Sequence, residues 1–183
     1  MKFSRLMVSL TLALTSAVTC ASDYLTIQLK DGPVVIKLSS EVAPQNVARI
    51  KTLASSGKYN DVAFHRVIDG FMAQTGDVQF GNLRKGFDAT RVGTGGSSAP
   101  DLLAEFSNIP FDRGVVGMAR SSDPNSANSQ FFIMFAPGYF LNGQYTVVGK
   151  VVSGMDKVDK IKRGASDSGA VQNPDRMLRV TID

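Results

Sequence analysis

Apolar and polar positions alternate through residues 24–30, where Leu25, Ile27 and Leu29 are separated by Thr26 and Gln28. A strand with one face on a core reads this way. Asp31 and Gly32 mark a turn, and the apolar run Val34, Val35, Ile36, Leu38 follows, which predicts a hairpin. The period then changes. Val47, Ile50, Leu53 and Ala54 fall on one face of a helix, with Pro44 suited to its first turn and Gly57 to its end. Strand-like runs return at residues 63–68, 71–75, 115–119, 130–135 and 146–152, separated by Gly, Asn, Asp and Ser clusters. A second helix is expected over 155–163, with Val158 and Ile161 inward and Gly164 as its stop, then a closing strand over 177–182. Many short strands with two helices, one toward each end, predict a mainly β fold of closed antiparallel architecture.

Residues 79–108 fit neither period. They are polar and glycine-rich, centred on Gly93-Thr-Gly-Gly-Ser-Ser98, and connections this long inside a compact domain are usually functional. No Lys-Ser/Thr pair follows the glycines and no strand-to-helix junction is evident, so a phosphate cradle is disfavoured and a groove-lining turn expected.

The start of the chain reads differently. Met1, Lys2 and Arg5 are followed by an apolar run over 6–14 and small residues over 16–22. This is the layout of a secretory signal peptide, too short in its apolar part to span a bilayer as a helix. Residues 1–21 are assigned to it, with cleavage after Ala21, and residues 22–183 to one domain. Lipidation at Cys20 is the alternative, which the preceding Ala17, Val18 and Thr19 suit poorly. Export, to the periplasm, is the expected destination.

Composition narrows the chemistry. The chain has 183 residues, with one histidine, one cysteine and no tryptophan. His65 and Cys20 cannot assemble a Cys/His zinc site or an intrachain disulfide, and cleavage would remove the cysteine. The leader carries two of the 20 basic residues and none of the 16 acidic ones, which leaves a net charge of +2. These charges are scattered, with no concentrated basic face for nucleic acid. No second stretch is long enough to span a membrane, and neither a cofactor nor a metal is expected.

The most informative segment is 64–77. On a strand, Phe64 and Arg66 would point to one side and His65 to the other. Asp69-Gly70 permits a turn into a return strand that carries Phe71, Met72 and Gln74. Further apolar and amide clusters lie at Met118-Ala-Arg120, at Gln130-Phe-Phe132, and at Phe140-Leu141 with Tyr145 nearby. Phe131 and Phe132 must face opposite ways, and Phe131 is assigned to the core.

These residues resemble the cyclophilins, which are peptidyl-prolyl cis-trans isomerases. The string that carries the resemblance is Phe64-His-Arg-Val-Ile68, Gly70-Phe-Met-x-Gln74, Gly76-Asp77, Gly93-Thr-Gly-Gly96, Ser129-Gln-Phe-Phe-Ile133, Phe140-Leu141 and Val148-Gly-Lys-Val151. It runs from about Tyr24 to Ile182. The resemblance implies a closed eight-stranded antiparallel β-barrel capped by two α-helices, and rotation about X–Pro peptide bonds as the reaction. It places the catalytic arginine at Arg66 and the proline pocket at Phe71, Met72, Phe132 and Leu141. Gln74 falls where the substrate carbonyl region is contacted, and Ala119, Arg120 and Gln130 fall on the groove for residues preceding the proline. Phe140 and Tyr145 keep an aromatic wall where many eukaryotic members have tryptophan and histidine, so weak cyclosporin binding is expected. Arg120 stands where many members have asparagine, which bears on sequence preference.

The form resembles bacterial secreted members acting on proline-containing segments of unfolded or exported proteins, as a monomer. His65 is read as structural, since amide rotation transfers no proton. The competing reading is a proline-peptide binding or chaperone module with incidental isomerase activity. Arg66 argues against it, because a pure binder has little need of a transition-state donor.

Overall fold

The computed structural model describes residues 23–183, so the expected signal peptide and Cys20 lie outside it. In chain order the elements are β1 (Tyr24–Leu29), β2 (Gly32–Leu38), α1 (Pro44–Ser55), β3 (Arg66–Ile68), β4 (Met72–Thr75), β5 (Val115–Met118), β6 (Phe131–Met134), a 3-10 turn (Tyr139–Leu141), β7 (Val147–Ser153), α2 (Met155–Val158) and β8 (Arg179–Ile182). The strands form one sheet in the order β3-β4-β6-β5-β7-β2-β1-β8, with every ladder antiparallel. The predicted hairpin is β1–β2, closed by the Leu29–Gly32 pair.

The sheet curls but is not a closed ladder. Its end strands β3 and β8 do not pair. The gap holds the isolated bridges Ala63–Arg176 and Arg66–Ala170, with backbone bonds from Phe64 N to Asp175 O (2.8 Å) and from Met177 N to Val62 O (3.0 Å). Backbone geometry explains why pairing stops there. Asp61 and Asn173 sit at φ 63° and 50°, Gly169 at 77°, and Pro174 follows, so neither segment stays extended long enough to build a ladder. The strand expected over 63–68 is shortened to Arg66–Ile68 for the same reason. Its alternation breaks at residues 64–65, so Phe64 joins the main core while Arg66 lines a cleft, and the two do not share a face.

Strand alternation divides the apolar residues between two clusters. Phe131 and Ile133 of β6, Val116 and Met118 of β5, and Ala73 of β4 point into the main core with Leu25, Ile27 and Ile36. Their neighbours Phe132, Met134, Val115 and Met72 form a second cluster on the other face with Phe111, Leu141 and Val147. Gly117 lies opposite Phe132 in the β5–β6 register. A Cβ at Gly117 would come within 2.6 Å of the Phe132 ring and 2.7 Å of Phe111, so glycine lets these rings stack on the sheet at 5.8 Å.

Helix α1 buries Val47, Ile50, Leu53 and Ala54, as the period predicted, and packs on β8. Ala43 at its N-cap has no side chain to offer. Glu105 supplies the cap from the long loop, accepting from the backbone of Gln45 (3.1 Å) and Asn46 (3.0 Å) and from Asn46 Nδ2 (2.7 Å). A carboxylate there satisfies orphan donors and faces the positive end of the helix dipole. Helix α2 stops at Val158, short of the expected residue 163. The chain tightens there into i→i+3 bonds, from Lys160 N to Lys157 O and from Ile161 N to Val158 O (3.1 Å each), and side chains finish the turn: Arg163 Nη1 donates to the carbonyls of Asp159 and Ile161, and Asp175 accepts the Lys162 N–H.

Candidate functional site

The second apolar cluster floors a cleft of about 270 Å³ lined by Arg66, Phe71, Met72, Gln74, Ala119, Arg120, Phe132, Phe140, Leu141 and Tyr145. Met72, Phe132 and Leu141 are buried and form its base. Phe71 leans on Phe140 at 5.5 Å, and Phe140 stands exposed at the rim. Tyr145 meets the Phe132 ring edge-on at 5.8 Å. Period-two geometry assembles this wall: Met72 and Gln74 share one side of β4, and Gln74 pairs in register with both Arg66 and Phe132.

All the expected site residues except Gln130 line this cleft. Gln130 lines the adjoining larger cavity of about 570 Å³, together with Gln74, Ala119 and Arg120. Its carboxamide joins the two. Gln130 Nε2 donates to the carbonyls of Gly93 (3.0 Å) and Gly95 (2.8 Å), so its oxygen turns to Gln74 Nε2 at 3.0 Å. Gln74 Oε1 is thereby left facing Arg66 Nη1 at 3.4 Å. The two carbonyls thus fix both amide orientations in turn. Arg66 Nε donates to Ser168 O at 3.0 Å, and the guanidinium is held at the cleft edge.

Arg120 is held as firmly. Its Nε and Nη2 donate to Gln144 O (3.1 and 2.9 Å), Nη1 donates to Ser121 O (2.8 Å), and the guanidinium lies 4.3 Å from the centre of the Tyr145 ring.

The long loop lines one side of the larger cavity through Gly93–Ser97 and Asp101, as the groove-lining reading of Gly93–Gly96 anticipated, and residues 119–130 supply the other side. Two organisers of that loop were not singled out from the sequence. Asp77, fully buried, accepts four backbone N–H bonds, from Gln79 (3.0 Å), Phe80 (2.9 Å), Gly93 (2.7 Å) and Gly95 (3.0 Å). Asn128 accepts from Ser97 N and Oγ (2.7 Å each) and donates to Ala99 O (3.0 Å) and Asp101 Oδ1 (2.9 Å). Only the Gly76-Asp77 step of the motif string hinted at the first, and no periodicity marks the second.

His65 is buried against Gly93, and neither ring nitrogen has a hydrogen-bond partner among the described residues. Burial pushes its pKa below the ordinary histidine range, opposed in part by the nearby Asp77 carboxylate. It lines neither cavity. No cluster of three or more His, Cys, Asp or Glu able to hold a metal is found among the described residues, and no helix among them is long and apolar enough to cross a membrane.

Fold and cleft together define a mainly β protein with an apolar pocket edged by fixed cations and amides. Residues 24–182 match the family model described as cyclophilin type peptidyl-prolyl cis-trans isomerase/CLD, and the chain belongs to this family. A probable peptidyl-prolyl cis-trans isomerase of Brucella suis is 64% identical over 170 residues, covering 92% of this chain and 87% of the relative. A peptidyl-prolyl cis-trans isomerase of Acinetobacter baylyi is 36% identical, covering 81% and 76%. Among solved structures, a Cryptosporidium parvum cyclophilin crystallised in the presence of the dipeptide Ala-Pro superposes with a TM-score of 0.73 at 26% identity, covering 87% and 98%. A cyclophilin from Hirschia baltica superposes with a TM-score of 0.74 at 25% identity, covering 88% and 74%.

Proposed function

We propose that the smaller cleft takes the proline ring of an X–Pro segment and that Arg66 is the catalytic residue. The observation that carries this reading is the guanidinium of Arg66, fixed by Ser168 and Gln74 beside a pocket based on Met72, Phe132 and Leu141. Phe71, Phe140 and Tyr145 would wall the ring. Gln74, Ala119, Arg120 and Gln130 would meet the chain that precedes it.

The chemistry follows from the peptide bond. Delocalisation of the nitrogen lone pair into the carbonyl resists rotation by about 18–20 kcal/mol. At the twisted transition state that lone pair is localised on nitrogen and can accept a hydrogen bond. Arg66 Nε and Nη1 are engaged by the protein, and Nη2 makes no hydrogen bond among the described residues, so Nη2 is the donor offered to the prolyl nitrogen. A donor that bonds the twisted state and not the planar one lowers the barrier by differential binding, with no covalent step. A thousandfold acceleration requires about 4 kcal/mol. One or two charge-assisted hydrogen bonds of about 1.5–3 kcal/mol each supply that in a partly desolvated cleft.

The biological setting proposed is folding of exported proteins in the periplasm by a monomer. It is supported by the charged, apolar and small-residue succession of residues 1–21. N-terminal sequencing of the mature protein tests it, with Ser22 expected as the first residue and a lipidated Cys20 overturning the assignment. Weak cyclosporin binding is proposed from the Phe140 and Tyr145 replacements. Proline isomerisation in a short peptide, followed by exchange NMR, tests the activity. Wild type should accelerate it, and Arg66→Ala should lose at least about a hundredfold, the equivalent of one to two charge-assisted bonds. Full activity in a folded Arg66→Ala protein would overturn the mechanism, and binding without acceleration by wild type would favour the pure binding module.

A further inference from the structure

The charges around the smaller cleft are one-sided. Arg66 and Arg120 line it, and no Asp or Glu does. Five arginines away from the cleft, Arg84, Arg91, Arg113, Arg163 and Arg176, each have a carboxylate within 4 Å, whereas Arg49 and Arg179 have none among the described residues. Arg66 and Arg120 also have none among the described residues, and of the four they alone line the cleft. Arg120 is also immobilised by three backbone carbonyls and the Tyr145 ring, so the entropy of ordering a long side chain is already lost before any ligand arrives. A guanidinium has five N–H donors, and carbonyl bonding leaves its positive charge uncancelled.

The position of Arg120 gives that charge a direction. Arg120, Gln74 and Ala119 are the residues that both cavities share. A chain whose proline ring fills the smaller cavity, and whose preceding residues run into the larger one, crosses this boundary at the residue just before the proline. The larger cavity holds one acidic residue, Asp101, whose carboxylate accepts from Asn128 Nδ2 at 2.9 Å and which does not reach the smaller cavity's lining.

We propose that Arg120 is a specificity-determining residue that favours substrates with an acidic side chain immediately before the proline. The inference rests on the smaller cleft being the proline site. Its physical basis is a preorganised, unneutralised cation at a partly desolvated boundary, where a carboxylate gains more than at an open surface.

The test is a set of acetyl-Ala-Xaa-Pro-Phe-amide peptides with glutamate, glutamine or lysine at Xaa, with isomerisation measured by exchange NMR. Glutamate and glutamine match in size, so their kcat/KM ratio isolates the charge. Wild type should favour glutamate over glutamine by about threefold, the yield of a partly exposed charge pair, and should disfavour lysine. The ratio should fall toward one at 1 M salt, where screening acts over about 3 Å. In Arg120→Gln it should fall to one whatever happens to the overall rate, and in Arg120→Glu lysine should become the preferred residue. The salt series needs no variant, so it holds even where a substitution disturbs folding. A ratio of one or less in wild type overturns the proposal, as does a ratio that Arg120→Gln leaves intact, which would assign the charge effect to Arg66. A preference for glutamate after the proline and not before it also overturns it. Absence of acceleration for every peptide would instead remove the proline-site reading beneath it.

Discussion

The two adjoining cavities are built by different means. The smaller one is an outcome of strand alternation: β4, β5 and β6 send every second side chain to the cleft side, and apolar burial holds them there. The larger one is walled by two irregular segments, 93–101 and 119–130, whose lining side chains are small or polar. Its shape comes from two polar side chains, Asp77 and Asn128, that gather backbone groups from distant parts of the chain. Burial is non-directional and tolerates repacking, whereas a carboxylate that accepts four N–H bonds has no substitute. The smaller cavity should therefore yield gradually to mutation, and the larger one abruptly.

The largest break in that comparison is expected from Asp77→Ala. It orphans four backbone donors in a buried site and should cost about 4 kcal/mol, within the range for stripping one partner from a buried charged network. Chemical denaturation measures the loss, and hydrogen exchange should show it concentrated at residues 79–96, with the amides of β4 and β6 comparatively protected. A cost below 1 kcal/mol would mean that the loop holds itself. The reverse experiment is Phe132→Ala, expected to cost about 3 kcal/mol by creating a cavity beside Phe111. Here exchange at Gly93 and Gly95 should stay near wild type while KM for proline peptides rises. Unchanged KM would remove Phe132 from the pocket.

Acid tests the seam between the regions, where His65 meets Gly93. The folded pKa of His65 lies below its unfolded value, so the unfolded chain takes up the proton first. Its contribution to stability is complete above the unfolded value of 6.5 and declines as pH falls through the depressed folded one, with a slope of at most about 1.4 kcal/mol per pH unit. Urea midpoints from pH 8 to 5 should drop for wild type and drop less for His65→Gln. Parallel curves would show that other groups carry the acid sensitivity. The smallest effect is expected from Glu105→Gln, about 1 kcal/mol, since it removes charge from a helix N-terminus and keeps one acceptor oxygen. Differential scanning calorimetry would register it, and no effect on isomerisation should accompany it.

The same contrast governs what could be read from sequence. The eight strands, α1 and the assignment of Phe131 to the core were legible, because burial imposes a period of two or 3.6 on neighbours in the chain. Ten of the eleven expected site residues surround one cleft: Arg66, Met72, Gln74 and Phe132 are placed there by these strands, and the other six by the segments between strands, where the family resemblance and not the period marked them. Other features turned on interactions that no local pattern announces. The end of α2 is set by Arg163 and Asp175. The open seam between β3 and β8 is set by left-handed backbone at Asp61 and Asn173. Asn128 works on residues about thirty positions away in the chain. In each case a polar side chain or a backbone angle overrides the periodic signal.

Strand β6 hands Phe131 and Ile133 to one interior and Phe132 and Met134 to the other. Its four residues therefore belong to two selection regimes. Changes at 131 or 133 bear on folding alone, and a change at 132 bears on both folding and the shape of the cleft, which Met134 does not line. A scaffold divided residue by residue in this way can reshape its cleft through Phe132 while the odd-numbered neighbours preserve the architecture. A lineage that diversifies there has to pass through substitutions that keep the ring's volume, since emptying it costs stability.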